Sequence, residues 1–332
     1  MKIPGLKHHT PNRSKYTGMK KALIILFVCV MTGLQWSAAS EKPELKTTEA
    51  TLTVDQKGNL KIVMGKGELI QLISPLNGLW KIVLKNDLTG REYELTPGKN
   101  VSLSMGNGVI HMDINNFASE NQRLPVHAGF TISVKDDAFC FSGTLKSESK
   151  EWIIKELNYP VISGIRTNNE KTEIYWPSGL GEHFGDPEKF GNRTIRYPGG
   201  SAGMAWFSVN STDKGIYMGV HDSLQETRDI NLAYDKSSAT FRACINSKIF
   251  ANEYEIPDVM VNPYHGSWYT AAKFYRSWYN RHFSIVTPPR WVRDESGWVL
   301  AILKQQNTEV MWPYKDIDRL CDIADRINLG TI

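Results

Sequence analysis

From Thr51 to about Ala251 the chain alternates apolar and polar residues strand after strand, a period that no helical fold sustains over such a length. Leu60, Ile62 and Met64 alternate with Lys61 and Val63, and Trp80, Ile82 and Leu84 repeat the pattern. Asn86-Asp87-Leu88-Thr89-Gly90 then reads as a turn before Tyr93 and Leu95. Met105-Gly106-Asn107-Gly108 is a tight-turn signal, because Asn and Gly accept positive φ at little cost. Phe130, Ile132 and Val134 lead into Lys135-Asp136-Asp137, and Phe139, Phe141 and Leu145 return along one face. Alternation with closely spaced turns predicts antiparallel sheets with one solvated face. A run of roughly 200 residues fits one large sandwich.

The pattern changes beyond Ala251. Ser267 to Tyr279 has helical spacing, with Ser267 at the cap position and Trp268, Ala271, Ala272, Tyr275, Trp278 and His282 on one face. Thr287-Pro288-Pro289-Arg290 is a stiff boundary. Gly297-Trp298-Val299-Leu300-Ala301-Ile302-Leu303 is a continuous apolar run of the kind found in strands buried on both sides. Asp316 to Ile327 is amphipathic, with Ile317, Leu320, Ala324 and Ile327 on one stripe and Asn328 and Gly330 closing it; Thr331-Ile332 resumes strand character. The predicted fold class is mainly β: a large antiparallel β super-sandwich, a linking helix, then the first β/α unit of an incomplete TIM barrel. The expected divisions are a leader over 1–40, the sandwich over 41–265, helix and linker over 266–290, and the barrel start over 291–332. On this reading the chain is a fragment or a truncated frame.

The first forty residues contain Lys2, Lys7, Arg13, Lys15, Lys20 and Lys21, no acid, an apolar run from Ala22 to Met31, and the small residues Ser37-Ala38-Ala39-Ser40. That is the pattern of a cleavable signal peptide, with Met19 the more natural start, and the run is too short for a membrane span. The whole chain has 39 basic and 35 acidic residues, a formal +4; without the six leader cations it has 33 against 35, or −2. No basic footprint for nucleic acid remains. The expected location is the periplasm or outer surface of a Gram-negative-type bacterium, with no stable membrane span after cleavage. Of the remaining cysteines, Cys140 and Cys244 read either as small buried apolar residues or as one bridge, and Cys321 stands apart.

No HExxH, P-loop, GxSxG or clustered Cys/His set is present, so neither a metal nor a cofactor is expected. What stands out is aromatic, glycine-rich material from Tyr175 to Asp222. Trp176-Pro177-Ser178-Gly179-Leu180-Gly181-Glu182-His183-Phe184-Gly185 is too glycine-rich for a strand interior and too apolar for an ordinary loop. Arg196-Tyr197-Pro198-Gly199-Gly200 and Met204-Ala205-Trp206-Phe207 follow. Aromatic surfaces beside a few polar groups suit sugars, whose C–H faces pack on rings while polar side chains fix the hydroxyls. The other reading of Trp176, Trp206 and Phe207 is sandwich core. Gly215 to Val220 reads as a buried strand ending in His221 and Asp222, a pair that could meet a ligand or order a turn. Lys304 and Gln305 follow the barrel-like strand, at the end that faces the active site in a complete barrel. The candidate substrate-binding residues are therefore Trp176, His183, Tyr197, Trp206, His221, Asp222, Lys304 and Gln305, and no residue is assigned a catalytic role.

The order of the Trp176–Gly185 loop, Tyr197-Pro198-Gly199-Gly200, Gly219-Val220-His221-Asp222, the Tyr275-Arg276-Ser277-Trp278 helix and the β/α start resembles exported bacterial glycoside-hydrolase-like proteins. These are distantly similar to α-galactosidases and endo-α-N-acetylgalactosaminidases. The resemblance implies a galactose-mutarotase-like sandwich packed on a TIM barrel that carries the catalytic carboxylates on later strands, absent from this sequence. It implies a secreted glycoside hydrolase acting on complex glycans, inactive as this fragment, with a supporting role for Trp176, His183, His221 and Asp222. The alternative is a non-catalytic carbohydrate-binding β-sandwich.

Overall fold

The computed structural model describes residues 34–36, 43–55, 59–65, 70–75, 78–95, 101–119, 122–167, 171–199, 201–284, 286–294 and 297–329. The expected leader lies outside the described residues except for Leu34–Trp36, which pair in parallel with Val101–Leu103. Strands β1 to β7 are Leu34–Trp36, Glu44–Lys46, Ala50–Val54, Asn59–Met64, Ile70–Pro75, Lys81–Asn86 and Glu92–Leu95. Strands β8 to β14 are Val101–Gly106, Val109–Ser119, Gln122–Lys135, Ala138–Ser147, Trp152–Thr167, Thr172–Trp176 and Glu182–Phe184. Strands β15 to β20 are Asn192–Tyr197, Trp206–Ser211, Lys214–His221, Arg228–Asp235, Thr240–Ala251 and Glu253–His265.

They form two sheets. The first runs β1-β8-β9-β10-β11-β20-β17-β16-β13-β14; the second runs β15-β18-β19-β12-β5-β4-β3-β2, with β6 pairing β12 and β7 pairing β6. Apart from β1 with β8, every described pairing is antiparallel, as the alternation predicts. Leu60, Ile62 and Met64 are buried while their neighbours are half-exposed. Asn107 and Gly108 have φ of 52° and 73°, the two positive values of the tight hairpin expected there.

The core lies where the sheets face each other. Tyr159 of the second sheet stacks on Phe130 of the first at 4.4 Å, and its hydroxyl donates to the Thr131 carbonyl at 3.2 Å. Trp80 meets Phe130 at 6.0 Å and Phe117 at 5.5 Å. Each fully buried ring stabilises the fold by roughly 1.5–3 kcal/mol before entropy is counted. Cys140 and Cys244 are buried free thiols, so the bridge reading is set aside.

The chain divides into two compact units, Met1–His282 and Phe283–Ile332. The first includes a Trp268–His282 helix that packs on β16, β17 and β20. That helix explains why β17 is buried along its whole length: one face meets the core and the other meets the helix. Gly219 is required on the helix side. A Cβ there would sit 2.2 Å from the Tyr217 hydroxyl and 2.8 Å from the Trp206 Cβ.

The second unit corrects one expectation. Gly297–Leu303 is not a strand buried on both sides; Trp298, Leu300 and Ile302 are 71%, 82% and 57% exposed. An extended segment becomes a strand only where neighbours take up its N–H and C=O groups along a ladder, and here Trp298 and Lys304 carry isolated bridges, the latter to Val310. The amphipathic helix is present as Ile317–Arg326, with Leu320 and Ala324 buried and Asn328 at φ 56° past its end. No helix among the described residues is long and apolar enough to cross a membrane.

Candidate functional site: an aromatic cavity at the sheet edge

The first sheet ends in the β13–β14 hairpin, and its register sets Tyr175 opposite His183 and Trp176 opposite Glu182. Directly opposed side chains on one face touch, and the His183 ring stacks on Tyr175 at 4.9 Å. Trp268, the first residue of the helix, stacks on Tyr175 at 5.4 Å, and Tyr269 stacks on Trp268 at 4.2 Å. Four rings thus form one continuous stack from two separate segments of the chain.

Glu173, two residues before Tyr175 on the same strand face, anchors the stack. The Tyr175 hydroxyl donates to Glu173 Oε2 at 3.0 Å, and His183 Nε2 lies 3.6 Å from Oε1. The Lys171 ammonium, bonded at 2.8 Å and assisted by the Tyr175 hydroxyl, holds the Glu173 carboxyl below its ordinary range despite partial burial. Burial first, and the hydrogen bond to Glu173 second, push the Tyr175 phenol up to about 12. Both groups therefore keep one protonation state across the neutral range.

Beside the stack lies a cavity of about 390 Å³, lined by Trp176, Trp206 and Met204 on its apolar side and by Glu182 and His183 on its polar side. Its rim is made by two glycine-rich loops clasped together. Gly203 N donates to the Pro177 carbonyl at 2.8 Å, and Ser178 bridges to Ala202. A Cβ on Gly203 would sit 2.5 Å from the Gly179 carbonyl oxygen, so only glycine permits the clasp. Leu180 projects from the rim, fully exposed.

Of the residues singled out from the sequence, Trp176, His183 and Trp206 come together here. Trp176 and Trp206 serve both readings at once. They are 3% and 4% exposed, packed on Phe190, Phe207 and Tyr217, yet an edge of each lines the cavity. His183 presents its side chain half exposed at the cavity.

The other candidates have different surroundings. His221 is 8% exposed, stacked on Trp278 at 4.6 Å, with Nε2 3.0 Å from the Tyr217 hydroxyl. Burial lowers its pKa to about 3, so the ring is neutral and joins helix to sheet in place of the ligand contact expected of it. Asp222 accepts from Leu224 N and Glu226 N, each at 2.9 Å, and pairs with the buried Arg228 guanidinium. It orders the turn into β18, the second of the two roles its position allowed. Tyr197 and Asp222 line a void of only about 10 Å³ beside Tyr275 and Trp278, room for a single water. Lys304 and Gln305 lie exposed in a turn of the second unit, where Gln305 N donates to the Glu309 carbonyl at 2.9 Å. Among the described residues no group of three or more His, Cys, Asp or Glu is placed to hold a metal.

Sequence reasoning passed over Tyr175, Glu173 and Trp268 as site residues. The signal for the first two was present, since positions 173 and 175 share a strand face opposite His183. Trp268 was placed on the helix face, but its meeting with Tyr175 follows from sheet order and from no local pattern.

No family model and no curated protein matches the sequence. Among solved structures, the α-N-acetylgalactosaminidase NagBb of Bifidobacterium bifidum is similar over 72% of this chain and 38% of its own, at 10% identity and a TM-score of 0.49. The GH36 α-galactosidase AgaB of Geobacillus stearothermophilus is similar over 75% of this chain and 43% of its own, at 7% identity and a TM-score of 0.46. A galactose mutarotase-like protein from Lactobacillus casei is covered over 100% of its length by 68% of this chain, at 9% identity and a TM-score of 0.43. The chain spans less than half the length of either glycosidase.

Proposed function

We propose that the sandwich is the carbohydrate-binding part of a secreted glycoside hydrolase that acts on complex glycans. The observation that carries this reading is the cavity of about 390 Å³ where the Tyr175–His183 stack and the edges of Trp176 and Trp206 meet the carboxylate of Glu182. Sugar rings need apolar surface for their C–H groups and directional partners for their hydroxyls, and this cavity offers both within one rim. Its aromatic part is held in place by rings packed on one another, so little side-chain entropy is lost on binding. The glycosidase side of the reading is supported by the sequence resemblance, in which catalytic carboxylates belong to barrel strands; none is assigned to a residue of this chain. Export is supported by the cationic, apolar and small-residue succession over residues 1–40.

Titration with neutral oligosaccharides, followed by tryptophan fluorescence and calorimetry, tests the binding. Saturable binding that weakens about tenfold in His183→Ala is expected, the loss of a contact of roughly 1.4 kcal/mol. A panel of galactose- and N-acetylgalactosamine-terminated glycans that leaves fluorescence and heat unchanged would sink it. Aryl glycosides should show no measurable turnover with this chain, and robust hydrolysis would overturn the assignment of catalysis to other segments.

A further inference from the structure

The outward face of the first sheet carries a second depression, of about 430 Å³, across β9, β10, β11 and β20. It is independent of the aromatic cavity and uses none of its residues. Ile110, Met112, Phe130 and Ile132 point into the core, so the alternate residues of the same strands point out. The register sets Gly129 between Asp113 and Thr144, with Thr144 next to Glu255. Gly129 keeps the floor open. A Cβ there would meet Asp113 Oδ1 and Thr144 Oγ1, each at 3.6 Å, an ordinary contact that fills the hollow without disturbing the strands.

The chemistry of this hollow differs from that of the aromatic cavity. No indole lines it, and Phe130, its one aromatic residue, is fully buried. His127 Nε2 lies 4.0 Å from Asp113 Oδ1, while Lys135 pairs with Asp258 on the same face. Among the described residues, the side chains of His111, Thr144 and Glu255 make no hydrogen bond. The hollow thus holds imidazoles, each a donor and an acceptor when neutral, a hydroxyl, and carboxylates that only accept. Unused acceptors in excess, fixed on a rigid sheet, fit a ligand that supplies several hydroxyl donors and has no need of a stacking surface. Three strand spacings separate β9 from β20, about 14 Å, long enough for two pyranose rings.

We propose that this hollow is a second, stacking-free carbohydrate site that takes a mono- or disaccharide through its hydroxyls. Because it contains no tryptophan, its occupancy can be read separately from that of the aromatic cavity. The test is histidine side-chain NMR of the full chain during titration with D-galactose, N-acetyl-D-galactosamine and lactose. Saturable shifts of the His111 and His127 signals are expected, and they should vanish in Gly129→Leu and weaken at least fivefold in Glu255→Gln. Tryptophan fluorescence and circular dichroism of both variants should match the parent. Shifts that persist unchanged in both variants, no saturable shift with any of the three sugars, or a response to Ca²⁺ or Zn²⁺ alone would overturn the proposal. Failure here with binding intact at the aromatic cavity would leave the carbohydrate-binding reading standing.

Discussion

Two histidines of this protein stack on aromatic rings with nearly the same geometry, in opposite surroundings. His221 lies on Trp278 at 4.6 Å and 17°, and His183 lies on Tyr175 at 4.9 Å and 26°. The first is sealed between a sheet and a helix; the second stands half exposed at a cavity of about 390 Å³. Stacking itself therefore does not mark a site. What separates fastening from recognition is whether the ring keeps an edge or a face that a ligand can reach. The expected consequence is a division of labour: changes around His221 act on stability, and changes around His183 act on binding.

The sharpest way to break that division is Asp222→Ala. It leaves Arg228, 4% exposed, with the half-exposed Glu226 as its remaining carboxylate partner, and the loss should fall at the lower end of the about 3–5 kcal/mol that stripping a buried pair costs. The urea midpoint should fall accordingly, while any fraction still folded should bind glycan with unchanged affinity. His221→Ala should come next, at about 2–3 kcal/mol, for the lost packing on Trp278 and the hydroxyl of Tyr217 left without its partner. Equal stability in the variant and the parent would show that the helix is held by other contacts.

A pH series sharpens the same point. His221 has a folded pKa of about 3 against an ordinary 6.5, so the unfolded chain takes up a proton that the folded chain refuses. Its contribution is complete above pH 6.5 and is lost as pH falls toward 3, at up to about 1.4 kcal/mol per pH unit. His221→Phe keeps a ring on Trp278 and should flatten that part of the profile; an identical slope in the variant would place the acid sensitivity elsewhere. The smallest stability effect belongs to the open stack. His183→Ala should change the unfolding free energy from urea titration by less than about 0.5 kcal/mol while weakening glycan binding.

Much of the sandwich was legible because its information is local. Leu60, Ile62 and Met64 set a burial pattern, and Asn107-Gly108 set a turn, without knowledge of any distant residue. The amphipathic stripe of Leu320 and Ala324 is legible for the same reason. The Gly297–Leu303 run misled, because a continuous apolar string states a demand for neighbours and does not supply them. The site was legible in part. The aromatic loop drew attention to Trp176, His183 and Trp206, whereas the Tyr175–Trp268 contact joins residues ninety-three positions apart and depends on which strands end up adjacent. His221 and Asp222 looked like a ligand pair because two polar residues at a strand end carry no mark of the helix that covers one of them or the arginine that neutralises the other.

The Tyr217 ring folded over Gly219 has a consequence for how this protein can change over time. A side chain at 219 collides with the phenol and also approaches Trp206 across the strand pair, so position 219 is closed to substitution while both rings remain. A smaller residue at 217 strands the imidazole of His221 and opens a hole beneath the helix. Neither position can move first without loss. Relatives that depart from glycine at 219 should therefore differ at 217 and 206 as well, and those three positions should be inherited as one unit.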